Sequence, residues 1–243
     1  MIKEKINSSD LNEELDYIKT TYTLPTNEEN KTQNHCIQSI KNIRLLPRCG
    51  THNNSNSYNE TIIYIVSGTL SYLDTLGNSK ELTRGNIIYI NSGSGLTYEI
   101  FNNGHDVIDF IEIKLSLSLI IEEDSNTILQ YSIPKVLYSI EENIPENQWK
   151  YRLSSKSGLA SIKSFCDLNI YSLTLTSDEV IDFKVNKDRI GYLIQGYGES
   201  IFVGHKTNSN IVLIDEDGLK IKAEDFKLKS KVNSNFLFIE TYL

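Results

Sequence analysis

The chain is poor in the residues that cross-link, interrupt or strongly charge other kinds of protein. Four prolines and thirteen glycines in 243 residues are too few for a long low-complexity linker. The three cysteines, Cys36, Cys49 and Cys166, are odd in number, lack metal-type spacing and fit a reducing cytoplasm. Histidine is scarce at four residues. Nowhere do eighteen apolar residues run together, so no membrane span is expected. The opening MIKEKINSSDLNEELDYIK has no apolar core of secretory length. Basic residues are also in deficit, with 24 Lys and Arg against 32 Asp and Glu and a formal charge of −8. Direct nucleic-acid binding, which rests on a basic surface, is therefore not expected. A phosphate loop, a Gly-x-Ser-x-Gly elbow and a His-Glu-x-x-His helix are all missing.

What the chain has in quantity is short apolar runs broken by turns. Residues 9 to 19, SDLNEELDYIK, carry a capping signal and apolar Leu11, Leu15 and Ile18, and predict one short helix turn or at most two. From Cys36 the pattern turns to strands. Ile37 to Leu46, Thr61 to Val66, Thr69 to Leu73 and Val107 to Leu117 are rich in β-branched and aromatic residues. Between them fall turn signals at Ser67-Gly68, Asp74-Thr75-Leu76-Gly77-Asn78, Arg84-Gly85-Asn86, Gly93-Ser94-Gly95 and Asn102-Asn103-Gly104. A second series starts at Trp149 and runs through 160–165, 170–176, 180–185, 190–194, 200–203, 211–214, 219–221, 226–228 and 236–240. Turns this frequent predict antiparallel sandwiches or small barrels, and two such series suggest duplication.

Several of these pieces resemble one family. Glu60-Thr61 leading into Tyr64-Ile65-Val66-Ser67-Gly68, the loop Asp74-Thr75-Leu76-Gly77-Asn78 and the run Gly93-Ser94-Gly95 are similar to the pirin-like cupins. Tyr151-Arg152-Leu153 with Ser157-Gly158, then Ile170-Tyr171-Ser172-Leu173, resembles that family's entry into a second cupin. Asp217-Gly218 followed by Phe236-Leu237-Phe238-Ile239 resembles its ending. The resemblance implies an all-β bicupin of two tandem antiparallel, jelly-roll-like barrels. The expected layout is an N-terminal extension over 1–45 packing on the barrels, a first core over 46–120, a connector over 121–148 and a second cupin over 149–243.

The resemblance also implies a metal site that this sequence does not supply. Active members hold a divalent iron with three histidines and a glutamate. Some cleave flavonols such as quercetin with dioxygen, and others act as regulatory or redox-responsive partners. The family's His-x-His pair falls on Asn54 and Asn56, its later histidine on Tyr98 and its glutamate on Ile100. Neutral amides are poor iron ligands, a phenol must first lose a proton with an ordinary pKa near ~10, and an alkyl group cannot coordinate. No metal cofactor is expected at these four positions, which become candidates to line a cavity. His52 and Glu60 are the polar neighbours that could rebuild a centre for iron or nickel, and Cys49, after Arg48, is the candidate redox thiol. The leading expectation is a non-enzymatic, cytoplasmic protein that binds a small neutral or weakly acidic molecule, or a protein partner. The alternatives are a quercetinase-type dioxygenase with a rebuilt centre and a thiol-based redox sensor. Tyr98 either lines an open cavity or plugs it.

Overall fold

The computed structural model describes residues 4–6, 12–15, 18–22, 36–51, 54–116, 131–155, 157–186, 188–206 and 209–242. They form twenty-two strands: β1 (Glu4–Ile6), β2 (Asn12–Leu15), β3 (Ile18–Tyr22), β4 (Ile37–Leu45), β5 (Asn54–Asn56), β6 (Asn59–Ser67), β7 (Thr69–Asp74), β8 (Ser79–Thr83), β9 (Ile87–Asn91), β10 (Leu96–Phe101) and β11 (Ile108–Ser116). The rest are β12 (Lys135–Ser139), β13 (Lys150–Ser155), β14 (Ile162–Ser164), β15 (Leu168–Leu175), β16 (Val180–Phe183), β17 (Arg189–Tyr197), β18 (Ser200–Gly204), β19 (Asn210–Leu213), β20 (Gly218–Lys222), β21 (Phe226–Ser230) and β22 (Ser234–Tyr242). No helix among the described residues is long and apolar enough to cross a membrane.

The strands divide between two compact units, one built from Asn12–Tyr22 with Cys36–Glu141, the other from Glu142–Leu243 with the first strand of the chain. Each unit faces a seven-stranded sheet with a four-stranded one, the jelly-roll arrangement. In the N-terminal unit the orders are β12-β9-β6-β11-β4-β3-β2 and β5-β10-β7-β8. In the C-terminal unit they are β1-β20-β17-β22-β15-β13-β14 and β16-β21-β18-β19. Every strand from β4 to β11 has a counterpart eleven strands later at the same place in its sheet. The duplication suggested by turn spacing is therefore present in the topology.

Alternation decides which residues enter each core. Ile63 and Ile65 of β6, Ile88 and Ile90 of β9, Ile108 and Phe110 of β11, Leu70 and Tyr72 of β7, and Leu96, Tyr98 and Ile100 of β10 fill the N-terminal sandwich. The C-terminal interior is an aromatic block. Phe183, Phe202, Phe226 and Phe238 pack with ring centroids 4.6 to 5.4 Å apart, and Trp149 meets Phe183 at 4.8 Å. This spacing is the favoured range for edge-on and offset aromatic pairs.

Three expectations need correction. The helix over 9–19 is not formed, because Asn12–Leu15 and Ile18–Tyr22 are strands of one antiparallel hairpin and β3 lies along β4. A segment this short gains little as an isolated helix, whereas the open edge of β4 offers a full row of backbone partners. The described strands of the N-terminal 45 residues are not a separate extension, since β4 sits inside the first large sheet, between β3 and β11, and β1 pairs with β20. The connector also contributes structure, with β12 closing one edge of the N-terminal sheet against β9. Most of its remainder before Tyr131 lies outside the described residues.

Candidate functional site

The register of β5 against β10 brings the former ligand positions onto one face. Asn56 lies opposite Leu96 and Asn54 opposite Tyr98, while Ser55 and Thr97 point to the other face and share a 3.0 Å hydroxyl contact. Tyr98, Ile100 and Leu96 enter the core, so that face is the interior. Ile100 is buried opposite Tyr72 and packs as a hydrocarbon. The Asn54 amide turns back to donate to Thr51 Oγ1 at 3.0 Å. Tyr98 is fully buried and fills the middle of the sandwich, its ring stacked on Tyr72 with centroids 5.8 Å apart. The question of cavity lining against plugging is thus answered for its ring: Tyr98 is core.

Its hydroxyl is another matter. Asn56 and Thr61 stand near enough to ease ionisation of the Tyr98 phenol slightly. Tyr98 Oη, Asn56 Nδ2 and Thr61 Oγ1 are each buried, and among the described residues none completes a well-aligned hydrogen bond, the three facing one another at loose geometry. Burial, and next the negative charge of Glu112, push the Tyr98 pKa well above the ordinary phenol value. Sequence inspection missed Thr61 and Glu112; parity assigns each to a face, and only the pairing shows that face to be the interior. Thr61 shares the face of Ile63 and Ile65, and Glu112 follows Phe110 at the strand repeat of two. Glu112 stands across from Lys41 of β4, and its carboxylate lies 3.6 Å from Lys114 Nζ.

A second polar group anchors the same interior. Asp74 accepts from the backbone of Leu76 at 2.9 Å and Asn78 at 3.0 Å, from Asn78 Nδ2 at 2.8 Å and from the Tyr72 hydroxyl at 2.9 Å. Burial, then the hydrogen bond to Asp74, drive the Tyr72 pKa far upward. Tyr138 from β12 meets Tyr72 edge-on at 6.4 Å, and its buried hydroxyl also lacks a protein partner. The loop that displays the family-like Asp-Thr-Leu-Gly-Asn pattern is therefore a carboxylate-centred turn, with Gly77 taking the positive φ of 86° that the hairpin requires.

The remaining candidates are not brought together. Glu60 shares the face of Ile62 and Tyr64, opposite to Thr61, and receives the Tyr89 hydroxyl there, so it does not enter the Tyr98 interior. His52 and His35 lie outside the described residues. His105 meets Arg48 Nη2 at 3.0 Å in an exposed contact, and His205 lies 3.3 Å from Asp182. Cys49 packs partly buried against the N-terminal core, with Sγ 3.5 Å from the Pro47 carbonyl, and Cys36 is partly buried and in no disulfide.

The architecture can now be set beside known proteins. No protein-family model matches the chain, and no curated protein sequence does. Solved structures match along nearly its whole length. YhhW from Escherichia coli is 15% identical with a TM-score of 0.79, covering 99% of this chain and 97% of its own. The same bacterial pirin in complex with nickel(II) gives 0.78 at 15% identity, over 100% of this chain and 99% of that one. A quercetin 2,3-dioxygenase from Acinetobacter baumannii gives 0.75 at 13% identity, over 99% and 86%. This is the pirin-like bicupin fold. A pirin-like metal centre would need donors that the described residues around Tyr98 do not offer. They comprise the Glu112 carboxylate, the Asp74 carboxylate already committed to Tyr72 and its own turn, the Asn56 amide, the Thr61 hydroxyl and a phenol held in its neutral form, with Ile100 at the remaining position. No cluster of three His, Cys, Asp or Glu side chains able to hold a metal occurs among the described residues. That donor set does not fit iron or nickel.

Proposed function

We propose that this pirin-like bicupin is a metal-free binding protein, regulatory rather than catalytic, whose N-terminal unit holds a small neutral polar molecule. The observation that carries this reading is the buried trio Tyr98 Oη, Asn56 Nδ2 and Thr61 Oγ1, which stand within reach of one another but complete no well-aligned hydrogen bond among the described residues. Buried polar atoms in native proteins find partners, and three groups that pair only loosely with one another leave bonding capacity that a bound molecule would complete. The amide donates, whereas each hydroxyl both donates and accepts, so the complementary ligand carries adjacent acceptors and donors but no full charge. Burial and the nearby Glu112 both oppose an anionic occupant. On the adjoining surface, Ser55, Asn56, Ser57, Thr75 and Thr97 line a shallow depression of about 290 Å³ with no charged side chain, consistent with a neutral ligand.

The nickel and quercetin chemistry named for the structural neighbours is not carried over, because no described residue set replaces the missing donors. A role as thiol sensor has less support, since Cys49 is partly buried and its sulfur faces a carbonyl. Three cysteines with no disulfide between them are in keeping with a reducing cytoplasm. The test is mass spectrometry of the intact protein under native conditions, followed by denaturing extraction. A small neutral organic molecule bound to the wild-type chain and lost from Tyr98→Phe and Thr61→Val is expected. A wild-type protein that carries and takes up nothing from a library of neutral hydroxylated or amide compounds overturns the reading.

A further inference from the structure

Strand parity also decides what the outer faces of the two four-stranded sheets carry. In the C-terminal unit Phe202, Leu213, Phe226 and Leu228 turn inward, so the residues alternating with them turn out. Pairing sets Val180, Lys229, Ile201 and Val212 in one row across that outer face, and Asp182, Lys227, Val203 and Asn210 in the next. Val180 and Val212 remain 46% and 45% exposed. With the methylene stem of Lys229 between Val180 and Ile201, the row is continuous apolar surface, which marks an interaction site. Three lysines, Lys227, Lys229 and Lys231, follow β21 at the strand repeat. Lys227 lies 3.8 Å from Asp182, and Lys231 pairs with Glu199. Lys229, between them, makes no ion pair among the described residues. The centre of this face is therefore one uncompensated cation among aliphatic side chains.

The corresponding face of the N-terminal unit has the opposite sign. Leu70, Tyr72, Leu82, Tyr98 and Ile100 fill the core, which leaves Ser71, Leu73, Glu81 and Glu99 on the outside. Glu99 lies beside the exposed Leu73 in one row, and Glu81 beside Ser71 in the next. Neither carboxylate makes an ion pair among the described residues, and no Lys or Arg alternates onto this face of β5, β7, β8 or β10. We propose that the two faces are halves of one interface, through which the chain binds a second copy of itself head to tail, the Lys229 face of one copy on the Glu99 face of the next. Contact supplies Lys229 with the carboxylate that its aliphatic row lacks, and takes Leu73, Val180 and Ile201 out of water together. Because two different faces meet, the contact is heterologous rather than two-fold. It uses nothing of the Tyr98 interior and stands independently of the ligand proposed for it.

Sedimentation equilibrium of the full chain over about 5–300 µM is the test. The weight-average mass should rise with concentration, and less steeply as salt is raised from about 50 to about 500 mM. Lys229→Glu and Glu99→Lys each set like charges against one another and should weaken association at least about tenfold. An equimolar mixture of the two variants restores opposite charges at every contact between unlike copies, and should recover association to within about threefold of wild type. Lys222→Glu, at the end of β20 in the large sheet, changes net charge as Lys229→Glu does and should leave association unaltered. Circular dichroism checks that each variant is folded. A chain monomeric at every concentration overturns the proposal, even where its Lys229 face then binds an alternating Leu-Glu peptide, which would assign that face to a foreign acidic segment. Failure of the mixed variants to recover, or an equal loss in Lys222→Glu, overturns it as well.

Discussion

A buried hydroxyl that makes no hydrogen bond should cost stability, so Tyr98 and Thr61 can be used to ask whether their partner is present. If a bound molecule satisfies them, Tyr98→Phe removes a made hydrogen bond and should lower unfolding stability by about 1 kcal/mol. If the interior is dry, deleting an orphan should leave stability unchanged or raise it. Urea denaturation of freshly purified protein distinguishes the two, and the loss is the expected result. Asp74 offers a contrasting case, because all its bonds lie within the protein. Asp74→Ala leaves the Tyr72 hydroxyl and the 76–78 turn amides without their acceptor and should cost about 2–4 kcal/mol, read as a lowered urea midpoint. At this scale the sequence showed that the four family ligand positions had changed, but not what had gathered around them. Thr61 and Glu112 hide inside runs that are apolar on both faces, where composition cannot tell which face is the interior. The same ambiguity left Glu60 as a candidate ligand until pairing placed it beside Tyr89.

Among the elements, the strands were legible and their company was not. Turn residues at Gly68, Gly77, Gly85 and Gly93 delimited β6 to β10 because the backbone there adopts positive φ, which an L side chain resists. By contrast, β2 and β3 are visible only through the edge of β4 that they pair with, a tertiary effect absent from any local window. Gly191 illustrates a constraint of the second kind. It lies in the middle of β17, and a Cβ there would overlap the Phe238 ring. With the aromatic block already packed around Phe183 and Phe226, that ring has no room to withdraw. Gly191→Ala should therefore destabilise the protein by about 1–3 kcal/mol. Thermal unfolding followed by circular dichroism would reveal it, and an unchanged midpoint would show that the aromatic block yields.

For the molecule as a whole, the repeat of eight strands in equivalent sheet positions explains why two stretches of sequence with little identity give the same turn rhythm. What was conserved in the duplication is sheet order, while the interiors diverged: tyrosines with a carboxylate-centred turn in one unit, phenylalanines in the other. That difference has a global consequence at alkaline pH. Tyr72, Tyr98, Tyr138 and Tyr171 are all raised above the ordinary phenol value, chiefly by burial, and Tyr192 is raised by burial to about 12. In the unfolded chain they ionise near ~10. Between that pH and their folded values, the unfolded state releases protons that the folded state retains, so stability falls as pH rises. Below that pH the contribution is complete and constant. Tyrosinate absorbance should show an early, exposed group of the 14 tyrosines titrating reversibly, with at least these five appearing later or only on unfolding.

The most direct measurement of the central claim is calorimetric titration of the metal-stripped full-length protein with nickel(II), repeated anaerobically with iron(II). A chain whose described residues around Tyr98 bring amides, hydroxyls and two carboxylates, one of them committed to its own turn, should give no saturable heat at micromolar protein. A one-to-one isotherm of micromolar or tighter affinity would contradict it, and would mean that a transition ion sits where Tyr98, Asn56 and Thr61 are read as holding a neutral molecule.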